Sequence, residues 1–128
     1  RVTGFGQSGP YSHRAGFATI AEAMSGLASI SGEPDGQPLL PAIALTDEVT
    51  GLVSAFASMV ALHSGVGQVV DVSLLESMFQ IMGPMVSAYA HMGYLQPRLG
   101  SGIPYTVPRG TYCCADGVWV AQPGLTQF

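Results

Sequence analysis

The carboxylate with the most chemical promise in this sequence is Asp47. It stands where a proline- and glycine-rich loop, Glu33-Pro34-Asp35-Gly36-Gln37-Pro38, and the apolar run over residues 39–45 give way to the most strongly patterned helix in the chain. A carboxylate at such a junction meets unpaired backbone N–H groups and the positive end of the helix dipole. Two roles share that geometry. One is an ordinary N-cap; the other is an ionised nucleophile, held in one direction and able to attack a carbonyl carbon. Position alone leaves both open. Glu48, next in sequence, points elsewhere on the helix.

Other residues with chemical potential carry weaker patterns. Gly4-Phe5-Gly6-Gln7-Ser8-Gly9 spells the dinucleotide-binding fingerprint, but that motif works when its last glycine opens a helix onto the pyrophosphate. Here Gly9 runs into Pro10-Tyr11-Ser12-His13, so a tight post-strand loop beside a site is the better reading. His13, His63 and His91 are far apart and none stands four residues from another ligand, which argues against a metal centre or a catalytic triad. Cys113 and Cys114 are adjacent, and neighbours on a strand face opposite ways. They are expected to be reduced and non-structural, as in a cytoplasmic protein. Glu22, Glu76 and Asp116 read as exposed helix or turn residues, and Asp71 as a strand residue that pairs or faces solvent.

The elements that must position Asp47 can be read from periodicity. A strand is expected over residues 1–6, a glycine-rich loop over 7–15, and a helix from Phe17 to about Ile30 with Ile20, Met24, Leu27 and Ala28 on one face. Beyond the Pro/Gly loop, Val49, Leu52, Val53, Phe56 and Val60 form one apolar stripe, and Gly51, Ser54, Ala55 and Ser58 a face small enough for a close neighbour. Alternation over residues 67–74 predicts a strand. A third helix over 75–91 should kink at Gly83-Pro84. Residues 93–110 read as a linker, and Asp116-Gly117 as the turn of a hairpin between residues 111–114 and 118–121. The class is α/β.

Composition narrows the partners. The chain has 128 residues, 48% hydrophobic and 9% charged, with four arginines, no lysine and a net charge of −4. A soluble domain usually carries about 25% charged residues, so much of this surface is expected to be covered by further chain or a partner subunit, and the sequence to be a piece of a larger protein. The scattered arginines and negative charge argue against nucleic acid. Gly, Ser and Pro interrupt every apolar run short of the roughly 18 residues a spanning helix needs, so no membrane association is expected.

Taken together, several segments resemble the family III CoA-transferases, which include formyl-CoA and carnitine CoA-transferases and share their fold with α-methylacyl-CoA racemase. The carriers are Thr3-Gly4-Phe5-Gly6-Gln7-Ser8-Gly9-Pro10-Tyr11, Arg14-Ala15-Gly16-Phe17, Ala21-Glu22-Ala23-Met24-Ser25-Gly26-Leu27 and Asp47-Glu48-Val49-Thr50-Gly51. They continue through Gly65-Val66-Gly67-Gln68-Val69-Val70-Asp71-Val72-Ser73-Leu74-Leu75-Glu76, Val107-Pro108-Arg109-Gly110-Thr111-Tyr112 and Asp116-Gly117-Val118-Trp119-Val120. The resemblance implies part of a Rossmann-like large domain over residues 1–92, a linker over 93–110 and the first hairpin of a small domain over 111–128. It also implies an interlocked homodimer.

The resemblance assigns Asp47 the covalent role: transfer of CoA from an acyl-CoA to a carboxylic acid through aspartyl intermediates. CoA is then a co-substrate, with no bound metal or permanent cofactor. Most contacts to its phosphates are expected outside this lysine-free, acidic stretch. Arg14, Phe17 and the glycine segment Gly100-Ser101-Gly102 are further substrate-binding candidates. Phe17 matches the position of a histidine that the racemase uses as an acid–base group. Phenylalanine carries no proton, which favours transfer over racemisation. Phe17 could pack against the acyl or pantetheine part of the substrate, or simply lie in the core. A catalytically inactive dimer scaffold is the reading from another class.

Overall fold

The computed structural model describes residues 1–124; the last four residues of the expected small-domain start, 125–128, lie outside the described residues. Strand β1 (Val2–Thr3) pairs in parallel with β2 (Val72–Ser73), Val2 opposite Val72 and Thr3 opposite Ser73. Parallel strands need a long crossover. Helices α1 (Ala18–Met24), α2 (Leu27–Ile30) and α3 (Leu45–Ser64) supply it. Helices α4 (Leu74–Ile81) and α5 (Met85–Met92) follow, and the chain reaches an antiparallel hairpin, β3 (Gly110–Cys113) with β4 (Trp119–Gln122), after a long irregular segment. Mixed helix and strand is the class expected.

The strands are shorter than the alternation suggests, because only residues that find a partner enter a ladder. The strand expected over 1–6 ends at Thr3, where Gly4 meets Gly16 so closely that a Cβ on Gly4 would lie 2.5 Å from the Gly16 Cα. Beside it, the Val72 N–H donates to the Arg1 carbonyl (3.0 Å) and the Arg1 backbone nitrogen donates to the Val70 carbonyl (2.7 Å).

Two expected helices are divided. Gly26, in the left-handed conformation (φ +91°), separates α1 from α2, a backbone state that costs glycine no steric energy. Gly83 and Pro84 separate α4 from α5 where the kink is expected, and the break is complete. Ser73 is the N-cap of α4: its hydroxyl accepts the Glu76 N–H and donates to the Glu76 carboxylate.

Helices α1, α3 and α4 pack on one another beside the strand pair. Among the described residues the buried apolar side chains are Ala21, Val72, Met78 and Met82. Buried polar groups share that core: Glu22, Ser25, Thr46, Thr50, Ser73 and Ser77. Each of their side chains has a hydrogen-bond partner, as burial demands. Glu22 therefore corrects the expectation that it is exposed. It sits on the α1 face that meets α3 and is accepted there because a hydroxyl satisfies it.

Helix α3 turns a polar edge, Thr46 and Thr50, into this core. Its apolar stripe faces outward: Leu52 is 72% exposed and Phe56 73%. The small face is likewise open, with no atom within 4 Å of a Cβ placed on Gly51. By length and composition α3 could cross a membrane, but its inner edge is engaged with α1 and α4.

Candidate active site

Asp47 lies inside α3 rather than before it. The helix opens at Leu45 with Ala44 as its N-cap, and no side chain caps it. Asp47 is thus the third helical residue, exposed, with Glu48 beside it in the same turn. The N-cap reading is corrected by three residues: the cap is Ala44, whose side chain has no oxygen to offer, and the helix starts within the apolar run. The electrostatic argument survives, because acids in the first turn still face unpaired N–H groups and the favourable end of the dipole.

What fixes this turn is a hydrogen bond from a different helix. The Thr46 hydroxyl, with the whole residue 0% exposed, donates to Glu22 Oε1 at 2.9 Å. One turn on, Thr50 donates to the Thr46 carbonyl at 2.7 Å, and Ser54 repeats the pattern onto Thr50. Residues 46 and 50 share a face by helical spacing, so one edge of α3 is anchored to α1 while Asp47, next along the spiral, is turned to solvent. Sequence reasoning singled out neither Glu22 nor Thr46. The available signal is a lone charge, Glu22, between alanines on a helix with an apolar face.

Residues 4–16 form a loop closed at its neck by the Gly4–Gly16 contact. Phe5 and Tyr11 meet edge to face, ring centroids 5.4 Å apart, and the Arg14 guanidinium lies 4.5 Å over the Tyr11 ring. Asp71 ties the loop to the strand pair by accepting the Gln7 N–H at 2.8 Å. No helix opens at Gly9, so the fingerprint lacks the phosphate-binding geometry that its spelling suggests. Arg14 keeps its charge exposed beside an aromatic face. Phe17 is the N-cap of α1, extended and 69% exposed. It is not a core residue.

Gly100, Ser101 and Gly102 lie elsewhere. The Gly100 N–H donates to the Gly32 carbonyl at 3.0 Å, and Ser101 meets the Arg109 guanidinium and the Thr111 hydroxyl. Arg98 fastens the same stretch to the end of α2 through the carbonyls of Ser29 and Glu33. Gly100 and Ser101 line a groove with Arg109, Gly110 and Thr111. Among the described residues no hydrogen bond joins Asp47 to Arg14, Phe17 or this segment, and no group of three or more His, Cys, Asp or Glu side chains is placed to hold a metal.

The fold matches that of a solved structure. The chain superposes on a crystal structure of a CaiB/BaiF family protein from Brucella suis with a TM-score of 0.78 and 32% identity, covering 92% of this chain and 32% of that one. The family profile of CoA-transferase family III matches residues 1–126, and the chain belongs to that family. Relatives include a protein named succinyl-CoA–D-citramalate CoA-transferase of Chloroflexus aurantiacus, 41% identical over 93% of this chain and 31% of the relative. A succinate–glutarate CoA-transferase of Agrobacterium fabrum is 39% identical over 96% of this chain and 32% of the relative. The chain thus spans about a third of the length of the curated relatives it matches.

Proposed function

We propose that the protein transfers CoA from an acyl-CoA to a carboxylic acid, with Asp47 as the nucleophile that carries the acyl group and then the CoA. The observation that carries this reading is the position of Asp47: a solvent-facing carboxylate in the first turn of α3, on a turn anchored from behind. Its helix end supplies N–H donors for a tetrahedral oxyanion. Membership of CoA-transferase family III supports it. The names of the relatives point to succinyl-CoA as donor and a dicarboxylic acid as acceptor.

The steps balance without an outside reagent. An Asp47 carboxylate oxygen attacks the thioester carbonyl, the C–S bond breaks, and a mixed anhydride and CoA thiolate form. The thiolate attacks the aspartyl carbonyl, expelling the donor acid and leaving an aspartyl-CoA thioester. The acceptor carboxylate displaces the thiolate to give a second anhydride. Attack by the thiolate on the acceptor's acyl carbon releases the new acyl-CoA and restores Asp47. One difficult exchange becomes four acyl transfers.

Arg14 and Phe17, at the neck of the glycine loop, are assigned to substrate contact, as is the Gly100-Ser101-Gly102 segment. The exposed stripe on α3 supports a homodimer in which this face is covered. The free thiols of Cys113 and Cys114 suit a reducing, cytoplasmic compartment. Racemisation is disfavoured because Phe17 holds no proton, and relatives with transferase names weigh against an inert scaffold.

The test uses the full-length protein with succinyl-CoA, trapping with hydroxylamine or borohydride and mapping the product by peptide mass spectrometry. A mass change confined to the Asp47 peptide, absent in Asp47→Asn, together with a loss of transfer of at least about 10³-fold, is the expected result. Full activity in Asp47→Asn overturns the assignment.

A further inference from the structure

Buried carboxylates are costly unless a donor meets them. Glu22 is 5% exposed, and its Oε1 is met by the hydroxyl of Thr46, itself fully buried, 24 residues away. The helix this bond reaches has no side-chain cap at Ala44. An uncapped first turn frays readily, and Asp47 sits in it. The Glu22–Thr46 bond therefore ties that turn to the core through a side-chain hydrogen bond, and it grips the residue immediately before the proposed nucleophile. Thr50 extends the grip by donating to the Thr46 carbonyl at 2.7 Å.

We infer that Glu22 is a positioning residue: through Thr46 it holds the first turn of α3 so that the Asp47 carboxylate is presented in one orientation for attack on the acyl carbon. The inference rests on the proposed role of Asp47. Glu22 faces the core and makes its bond to Thr46, so it acts through that residue and not on the substrate. Attack geometry is sensitive to small displacements: a misplacement of about 1 Å can cost on the order of 10²-fold in rate. Loosening the turn should consequently lower kcat while substrate binding, made largely by other groups, persists.

The experiment compares Glu22→Leu, Glu22→Gln, Thr46→Val and Thr46→Ser in the full-length protein, with Asp47→Asn as reference and folding checked by circular dichroism and thermal melting. Glu22→Gln keeps an acceptor oxygen and Thr46→Ser keeps the donor, so both are expected to stay within about threefold of the parent kcat. Glu22→Leu and Thr46→Val are expected to lose about 10- to 100-fold in kcat with KM for succinyl-CoA changed less than about threefold. The double variant Glu22→Leu/Thr46→Val should fall no further than either single one, because both remove the same bond.

Folded Glu22→Leu and Thr46→Val with undiminished kcat overturn the inference, provided Asp47→Asn is inactive. Should Asp47→Asn remain active, it is the nucleophile assignment that has failed. If Glu22→Leu and Thr46→Val do not fold, the conservative pair decides: Glu22→Gln or Thr46→Ser that melt like the parent yet lose kcat to the same degree refute a role carried by this hydrogen bond.

Discussion

At the scale of single residues, the proposed function rests on Asp47 and Phe17. The Asp47 carboxylate, at the third position of α3, is exposed to solvent, as the proposed attack on a thioester requires. Phe17, exposed at the start of α1, contributes area but no proton. A chain with one acid–base group can exchange acyl groups, but it cannot deliver a proton to the opposite face of an α-carbon. The full-length protein incubated with succinyl-CoA in D2O should therefore incorporate no deuterium at the acyl α-carbons during many turnovers of CoA transfer, as read by mass spectrometry. Deuterium entering at a rate comparable to transfer would show a second acid–base group and reopen the racemase reading. Asp47 was legible as a helix-start carboxylate. Its true register was not, because Ala44 carries none of the oxygen that marks a cap and the helix begins inside an apolar run. Glu22 was illegible for a different reason: a glutamate between alanines looks exposed until its partner, distant in sequence, is known.

Among elements, close backbone approach and capping decide how the site's supports are fixed. The glycine loop closes because Gly4 and Gly16 lack side chains, and a Cβ on either would come within 2.5–2.7 Å of the other's Cα. Gly4→Ala should destabilise the full-length protein by about 1–3 kcal/mol, since backbone cannot yield as a side-chain tip can. Denaturant unfolding would measure it, and an unchanged midpoint would show that the neck is looser than described. At α4, Ser73→Ala removes the N-cap bond to the Glu76 N–H and the hydroxyl bond to the Glu76 carboxylate and is expected to cost about 0.5–2 kcal/mol by the same measurement. The pattern of helices, the break at Gly83-Pro84 and the Asp116-Gly117 hairpin could all be read from local signals. Strand lengths could not. Alternation reports which residues suit a strand, whereas a ladder takes in only those with a partner opposite, here Val2 with Val72 and Thr3 with Ser73. The break at Gly26 was missed because an isolated glycine in a helical pattern is usually tolerated.

For the whole molecule, the shortage of charge and the outward apolar face of α3 are one observation at two resolutions. A sequence 48% hydrophobic buries only Ala21, Val72, Met78 and Met82 among its described apolar residues. Leu52, Phe56, Met59, Val60 and Leu62 remain on the outside of α3. Burying an aliphatic or aromatic side chain contributes about 1.5–3 kcal/mol, so leaving these in water forfeits an amount comparable to the whole stability of a small domain, about 5–15 kcal/mol. The 128-residue chain expressed alone is consequently expected to bind the dye ANS strongly and to melt without a sharp transition, while the full-length protein binds little dye and unfolds cooperatively. Calorimetry and dye fluorescence on the two samples would check this. A sharp, reversible transition in the isolated chain, with dye binding no higher than in the full-length protein, would mean that these residues find cover within the chain itself, and that the exposed stripe is not the surface on which a second copy or further chain is seated.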